Sequence, residues 1–447
     1  MNEKTFDLIV IGAGPAGYSA AVRASQLGAR VLLIEKTAFG GTCLNWGCVP
    51  TKFMWEAAHE LARFKRASSY GITAGPAELS FPDLISKKDK AVELLTKGVK
   101  QLLAGYGVTM LEGAAVFSGP GTIEIVSGQG VGQTYTTPKI IIAAGSSPSG
   151  IPGYPIDHDK IIDSTDALNL KTLPQSLLVV GGGAIGVEFA SIYAALGTQV
   201  NLVEKEAQLL PGEDAELAEE VKKSLVRQGV KVETAIASFD ELAKNSEKLL
   251  IAAGRKSNAG ALNPEKAGIK SGPKNLEINE YLETSTAGIY CAGDAGGRSL
   301  LAYTAQAEGV LAAENALGKK KAVERSVIPK AVFSNPPAAS VGTINASGLP
   351  ESVTGRFDLA ANSRAFIEGE RRGWVKICAD KKTGIITGGQ IIGAGAEELI
   401  TAVSIAVKQK LTLQDLSREI FFHPSLSEAV HCACEDALGK CVDLPRK

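Results

Sequence analysis

The segment FDLIVIGAGPAGYSAAVRASQLGARVLLIE, Phe6 to Glu35, decides the fold. It reads as an apolar strand from Phe6 to Ile11, a turn Gly12-Ala-Gly14-Pro-Ala-Gly17, a helix running to Gly28, and a strand from Arg30 to Ile34 ending on Glu35. Gly12 permits the tight turn, Gly14 lets a pyrophosphate approach the backbone, and Gly17 lets the helix pack on the strand. The helix N-terminus then faces the phosphates with unpaired amides. Glu35 stands where a carboxylate accepts hydrogen bonds from a ribose.

The layout recurs as a strand from Leu177 to Val180, the turn Gly181-Gly-Gly183-Ala-Ile-Gly186, a helix to Gly197, and a strand from Gln199 to Val203 ending on Glu204. Gly12 to Glu35 and Gly181 to Glu204 have the same separation, 23 positions. One glycine turn of this kind is weak on its own, but two in matching context predict two dinucleotide sites. A second pair of repeats, IIIAAG from Ile140 to Gly145 and LLIAAG from Leu249 to Gly254, reads as the last buried parallel strand of each domain. Glu204 would lie against a 2′-phosphate, so the second site is expected to take NAD rather than NADP, with Lys205 beside it as the one opposing charge.

A chain of 447 residues exceeds what one core usually serves, and its 49 glycines fit many close backbone approaches. A net charge of -1 leaves no basic face for nucleic acid or an anionic membrane. The start MNEKTFD runs into the strand without signal-peptide features, and no apolar run reaches the length of a membrane span. Seven cysteines in a chain this long are no secreted disulfide framework; they fit a reducing compartment, the cytoplasm, where a disulfide is more often catalytic than structural.

GGTCLNWGCVPTK, Gly40 to Lys52, places Cys43 and Cys48 five positions apart. On a regular helix their Cα atoms would be roughly 8 to 9 Å apart, beyond the disulfide range of about 4.4 to 6.8 Å. A bridge therefore needs an irregular turn, for which Gly47 and Pro50 are suited. Against a redox role stand a structural thiol pair and half a metal site. The position just after a dinucleotide unit favours redox work, and no metal is expected. His423 precedes Pro424 and is biased toward an extended backbone; it is a natural proton acceptor, with Glu428 as the carboxylate to fix its tautomer. Ser425-Leu-Ser-Glu428 also reads as a helix-capping box.

GGTCLNWGCVPTK resembles the active-site segment of the pyridine nucleotide-disulfide oxidoreductases, and within them the dihydrolipoamide dehydrogenase branch. TSTAGIYCAGDA (Thr284 to Ala295), LAYTAQAEG (Leu301 to Gly309), ANSRA (Ala361 to Ala365) and HPSLSE (His423 to Glu428) resemble further segments of that family. The resemblance implies an α/β protein with two Rossmann-like domains, for FAD and NAD, and a C-terminal α+β dimerisation domain. The expected divisions are 1–148 for the flavin domain, 149–258 for the NAD domain, 259–324 for a return segment and 325–447 for the interface. In the last, Val375 to Cys378 and Ile385 to Ile392 read as a hairpin and Ala396 to Val407 as a helix.

By the same resemblance, a dihydrolipoyl thiol deprotonated by His423 attacks Cys43, and electrons pass through Cys48 to FAD and on to NAD. Lys52 belongs at the flavin edge and Glu188 at the nicotinamide, though either could be a solvated surface charge. Gly12, Gly14, Gly17, Glu35, Lys52, Ala115, Gly145, Asp294 and Ala302 are the expected flavin contacts; Gly181, Gly183, Gly186, Glu188, Glu204 and Gly254 are those for NAD. The implied partners are a second copy of the chain and a lipoyl-bearing protein of a 2-oxoacid dehydrogenase or glycine cleavage complex. The alternatives are a reductase of mercuric ion or another disulfide, and a non-catalytic redox scaffold. Cys432-Ala-Cys434 is not the terminal vicinal pair of mercuric reductases, and these thiols, like Cys291, Cys378 and Cys441, read as incidental. Four departures stand out: a shortened stretch from Lys231 to Lys248 that puts the NAD domain's completeness in doubt, Tyr303 where a His is usual, Pro337 where a Glu is usual, and the bulky Trp46 between the cysteines.

Overall fold

The computed structural model describes residues 6–73, 75, 77–272, 275–344 and 351–445; the first five residues, on which part of the signal-peptide reading rests, lie outside them. The first strand, Leu8–Ile11, is buried along its whole length and pairs in parallel with Val31–Glu35 on one side and Ile140–Ile142 on the other. A strand covered on both faces can be apolar throughout, and each fully buried Leu or Ile contributes roughly 1.5–3 kcal/mol. The sheet has seven strands in the order Ile289–Cys291, Ile140–Ile142, Leu8–Ile11, Val31–Glu35, Thr109–Gly119, Thr122–Gly128 and Thr134–Thr136.

The second nucleotide unit centres a five-stranded parallel sheet in the order Lys231–Glu233, Gln199–Val203, Ser176–Val180, Lys248–Ile251 and Ile161–Ile162. Neither glycine-closed repeat is the last strand of its sheet. Ile289–Cys291 lies outside Ile140–Ile142, and Ile161–Ile162 lies outside Lys248–Ile251. Each of these flanking strands is short, and one of them returns from beyond the second nucleotide unit, so strand-length patterning in the sequence passes over them. The shortened stretch from Lys231 to Lys248 leaves the parallel sheet continuous: a six-residue helix, Asp240–Asn245, connects its strands.

The chain leaves the first sheet and returns to it along one ribbon, Ser146–Pro148 paired antiparallel with Arg255–Ser257. The C-terminal region is an antiparallel sheet in the order Lys330–Val332, Ala338–Gly342, Ile386–Ile392, Trp374–Asp380 and Ser352–Asp358, backed by the helices Ala396–Lys408 and Glu428–Ala437. It docks on the cysteine-bearing helix Cys48–Lys65 through Trp55, whose indole N–H donates to the Ser334 carbonyl at 3.1 Å and whose ring meets Phe333 edge-on. Among the described residues no helix is long and apolar enough to cross a membrane.

Candidate active site

Both glycine turns are built on close backbone contact. Gly12 has φ +102°, and a Cβ there would lie 2.3 Å from the Ala143 carbonyl oxygen; at Gly181, φ is +112° and the clash would be 2.5 Å from that of Ala252. A Cβ on Gly17 or Gly186 would lie 1.7 or 1.8 Å from the carbonyl oxygen of the first glycine of its own turn. Gly14 and Gly183 are the N-caps of the helices Pro15–Gln26 and Ala184–Leu196, and no side chain caps either. Their first amides are thus left to an anionic ligand.

Glu35 and Glu204 do more than wait for a ribose. Glu35 Oε2 accepts from the Ala13 amide at 2.7 Å and Oε1 from that of Thr37 at 2.8 Å. Glu204 Oε2 accepts from the Gly182 amide at 2.5 Å and Oε1 from that of Glu206 at 2.7 Å, while Lys205 is exposed. Each buried carboxylate ties its strand end to its glycine loop. The sequence showed the pattern but not this second use.

Cys43 lies in a short helix, Gly41–Trp46, and Cys48 opens the helix Cys48–Lys65; the break falls at Gly47, with φ -139° and ψ -118°. A Cβ on Gly47 would stand 2.7 Å from the Thr42 carbonyl oxygen and 3.1 Å from the Cα of Cys43, so only glycine lets the chain double back here. Asn45 braces the short helix by donating to the carbonyls of Phe39 at 3.0 Å and Gly41 at 2.9 Å. Trp46, its last residue, is half-buried.

Both cysteines are free thiols in hydrogen-bond contact. The Cys48 thiol is lowered to about 7, first by the hydrogen bond from Cys43 and also by the Lys52 charge, against the opposing effect of burial. Cys43, which keeps the proton, is pushed up by the same bond and by burial. Lys52, one turn along, donates to Glu188 Oε2 at 2.7 Å and lies 4.4 Å over the Phe333 ring; Glu188 Oε1 accepts from the Phe333 amide at 3.1 Å. Glu188 is buried, so this pair joins three segments and is not two solvated charges. Tyr303, the second residue of the helix Ala302–Ala316, feels the same dithiol: burial first, then the Cys48 charge, raises its phenol to about 12, and its hydroxyl donates to the Pro329 carbonyl. Pro337 immediately precedes the strand Ala338–Gly342, its carbonyl accepting from the Gly393 amide at 2.9 Å.

The remaining expected contacts of the two nucleotides fall at helix starts, at strand ends and on the first sheet. Ala302 begins its helix with no side-chain cap, and this helix packs on Pro15–Gln26 so closely that a Cβ on Gly309 would stand 2.0 Å from the Ala16 carbonyl oxygen. Gly145 follows Ile140–Ile142 with φ +68°, Gly254 follows Lys248–Ile251 with φ +118°, and Ala115 is buried on Thr109–Gly119. Asp294 Oδ2 accepts from the Ser146 hydroxyl at 2.5 Å, and Ser146 Oγ accepts from Arg255 Nε at 2.8 Å. Two uncapped helix starts, a cradle that any Cβ would fill and a carboxylate at its side suit a flavin dinucleotide. The second turn, with Glu204, suits NAD.

His423 and Glu428 lie together, apart from these groups. His423 Nδ1 stands 2.9 Å from Glu428 Oε1, Glu428 Oε2 accepts from the Ser425 amide at 2.8 Å, and the His423–Pro424 peptide is cis. Burial pushes the Glu428 carboxyl up, but the Ser425 amide and the imidazole hold it below its ordinary value. The capping-box reading is corrected: the helix N-cap is Ser427, Glu428 is the first helical residue, and the Ser425 hydroxyl bonds to that of Ser427. Only the carboxylate half of the box is present. Asn362, in the ANSRA segment, fastens this loop by donating to the Ser425 carbonyl at 3.0 Å. Among the described residues one grouping could hold a metal ion, His158 with Asp163 and Asp166; it is a helix cap, in which the two aspartates form a reciprocal capping box.

Two glycine-turn dinucleotide sites flanking a coupled dithiol define a flavoprotein disulfide oxidoreductase. The family model for pyridine nucleotide-disulphide oxidoreductases matches residues 6–309 and that for the family's dimerisation domain matches 328–434, and the chain belongs to this family. It is an FAD- and NAD-dependent enzyme of the dihydrolipoyl dehydrogenase kind. The dihydrolipoyl dehydrogenase of Thermus scotoductus is 38% identical over 97% of each chain, and that of Geobacillus stearothermophilus 36% over 97% of this chain and 96% of the other. Among solved structures, LpdA of Mycobacterium tuberculosis superposes with a TM-score of 0.87 at 28% identity, covering 96% of this chain and 99% of that one. The HOCl-induced flavoprotein disulfide reductase RclA of Escherichia coli, solved as a Cu(II) complex, also gives 0.87, at 29% identity over 97% and 99%.

Proposed function

We propose that the chain oxidises protein-bound dihydrolipoyl groups as a cytoplasmic homodimer, serving a lipoyl-bearing protein of a 2-oxoacid dehydrogenase or glycine cleavage complex. The proposed division is a flavin domain over 1–148 completed by 259–324, an NAD domain over 149–258 and an interface domain over 325–447. The observation that carries the reading is the Cys43–Cys48 pair, brought together across the break at Gly47, with Lys52, itself tied to Glu188, one turn on.

In the oxidised state these sulfurs form a disulfide. His423, with Nδ1 donating to Glu428, keeps Nε2 as the acceptor for the proton of an incoming thiol. The resulting thiolate attacks the Cys43 sulfur and releases Cys48 as a thiolate, which the Lys52 charge favours. The second substrate thiol then displaces Cys43, closing the substrate disulfide and leaving the dithiol on the protein. FAD held at the Gly12–Gly17 turn would supply a two-electron acceptor for this dithiol, and NAD held at the Gly181–Gly186 turn would supply the final hydride acceptor. The Lys52–Glu188 pair spans the ground between the two nucleotide turns, so its role is alignment at their junction.

Steady-state turnover of dihydrolipoamide with NAD and with NADP tests the proposal. Turnover should occur with NAD and fall on the order of 100-fold or more with NADP, because a 2′-phosphate would meet the buried Glu204. Faster reduction of mercuric ion or an unrelated disulfide would overturn the substrate; equal use of NADP would overturn the role of Glu204.

A further inference from the structure

The ribbon joining the two nucleotide domains carries a chain of hydrogen bonds that ends on the carboxylate beside the flavin cradle. Arg255, on the returning strand Arg255–Ser257, donates from Nε to Ser146 Oγ at 2.8 Å and from Nη2 to the Ser146 carbonyl at 2.7 Å. Ser146, 5% exposed on the outgoing strand, donates in turn to Asp294 Oδ2 at 2.5 Å. Two bonds from one guanidinium fix both the backbone and the hydroxyl of Ser146, so the hydroxyl proton has one direction left, toward Asp294. Among the described residues Asp294 Oδ1 has no partner and remains an acceptor for a ligand hydroxyl. The ribbon partner Ser147 is itself held, its hydroxyl donating to Asn258 Oδ1 at 2.8 Å.

We infer that Ser146 and Arg255 are positioning residues for Asp294, which makes the ribbon between the two domains part of the flavin seat. The inference rests on the assignment of Asp294 to the polyol chain of FAD. The aspartate sits in a short 3-10 turn, Gly293–Gly296, which cannot by itself fix a carboxylate; the orientation comes from Ser146, 148 positions earlier, and through it from Arg255 on the returning strand. Burial lowers the Arg255 guanidinium, and the charges of Asp294 and Asp163 oppose that, so it is an ion held by its acidic neighbours.

The test is FAD affinity of the full-length apoprotein, read by flavin fluorescence, for Asp294→Ala, Ser146→Ala, Arg255→Ala and the combinations. Asp294→Ala should weaken FAD at least tenfold. Ser146→Ala and Arg255→Ala should each weaken it about three- to tenfold, and neither should add further loss in the Asp294→Ala background, because all act on one carboxylate. Millimolar guanidinium should restore affinity to Arg255→Ala but not to Ser146→Ala, a response that loosened packing would not give. Unchanged affinity in Asp294→Ala would overturn the aspartate's assignment and the inference with it. A full effect there with none in Ser146→Ala, with additive losses, or with no guanidinium rescue would overturn the inference alone. Since Ser146→Ala removes a single oxygen from a buried site, it keeps the test decisive even if Arg255→Ala fails to fold.

Discussion

The dithiol and the imidazole are the two reactive pairs of this molecule, and they are finished to different degrees. Cys43 and Cys48 have beside them the Lys52 charge, locked to the buried Glu188, which in turn accepts from the Phe333 amide, so three parts of the chain support them. The His423 side chain is 69% exposed, its one hydrogen bond among the described residues is to Glu428, and it is flanked by Ile420 and Phe422, which are 99% and 77% exposed. Large apolar side chains this exposed beside a poised base indicate a surface that another protein covers. The dithiol has its supporting charges built around it within one chain; the base has only Glu428, and is carried on a dimerisation domain.

The largest effect expected from this contrast is in mixed dimers. Cys43→Ser and His423→Ala homodimers should each lose most turnover, the second on the order of 10² to 10⁴-fold. If each site pairs the dithiol of one subunit with the imidazole of the other, subunits unfolded and reassembled as an equal mixture form mixed dimers half the time. Each mixed dimer has one intact site of two, so activity recovers to about a quarter of wild type. If both residues serve the same subunit, every site carries a lesion and no activity returns.

A smaller effect concerns the carboxylate behind the base. Glu428→Gln keeps an acceptor for the Ser425 amide but removes the charge that supports an imidazolium. Turnover should fall roughly 10- to 100-fold, while the melting temperature stays near that of wild type because the loop bond survives. A large drop in melting temperature with little change in turnover per folded protein would return Glu428 to a purely structural role.

The parts of this architecture legible in the sequence are those that repeat or that backbone geometry forces. Gly12 and Gly181, Gly17 and Gly186, and Glu35 and Glu204 occupy matched positions because two nucleotide loops solve the same steric problem, and Gly47 was the residue a bridge between Cys43 and Cys48 required. What stayed hidden depends on residues far apart in the chain. The strand Ile289–Cys291 completes the first sheet after the whole second domain has intervened, and Ser146, Arg255 and Asp294 converge from three segments with no shared motif. Arg255 and Ser146 each follow a glycine that closes an apolar strand, and that parallel placement was the one signal that could have paired them. At Ser425 the sequence left two readings of Glu428 open, because local pattern cannot tell a helix cap from a carboxylate that also faces an imidazole.

The smallest expected effect tests how far the dithiol depends on its built-in charge. The Cys48 thiol is lowered to about 7 by the hydrogen bond from Cys43 first and by Lys52 second, while Glu188 acts in the opposite direction. A thiol lowered in this way is a thiolate above that value and is protonated as pH falls through it. In Lys52→Met the favourable charge is gone and the Glu188 carboxylate is left unpaired nearby, so both changes move Cys48 upward, by about one unit or more. In Lys52→Met/Glu188→Gln the opposing carboxylate is neutral as well, and the midpoint should return part of the way. The measurement is the rate of alkylation of Cys48 by iodoacetamide in the reduced enzyme as a function of pH, with the modified residue located by mass spectrometry. A midpoint that does not move in Lys52→Met would mean that the Cys43 hydrogen bond alone sets the thiolate, and that Lys52 serves only to hold the helix Cys48–Lys65 against Glu188.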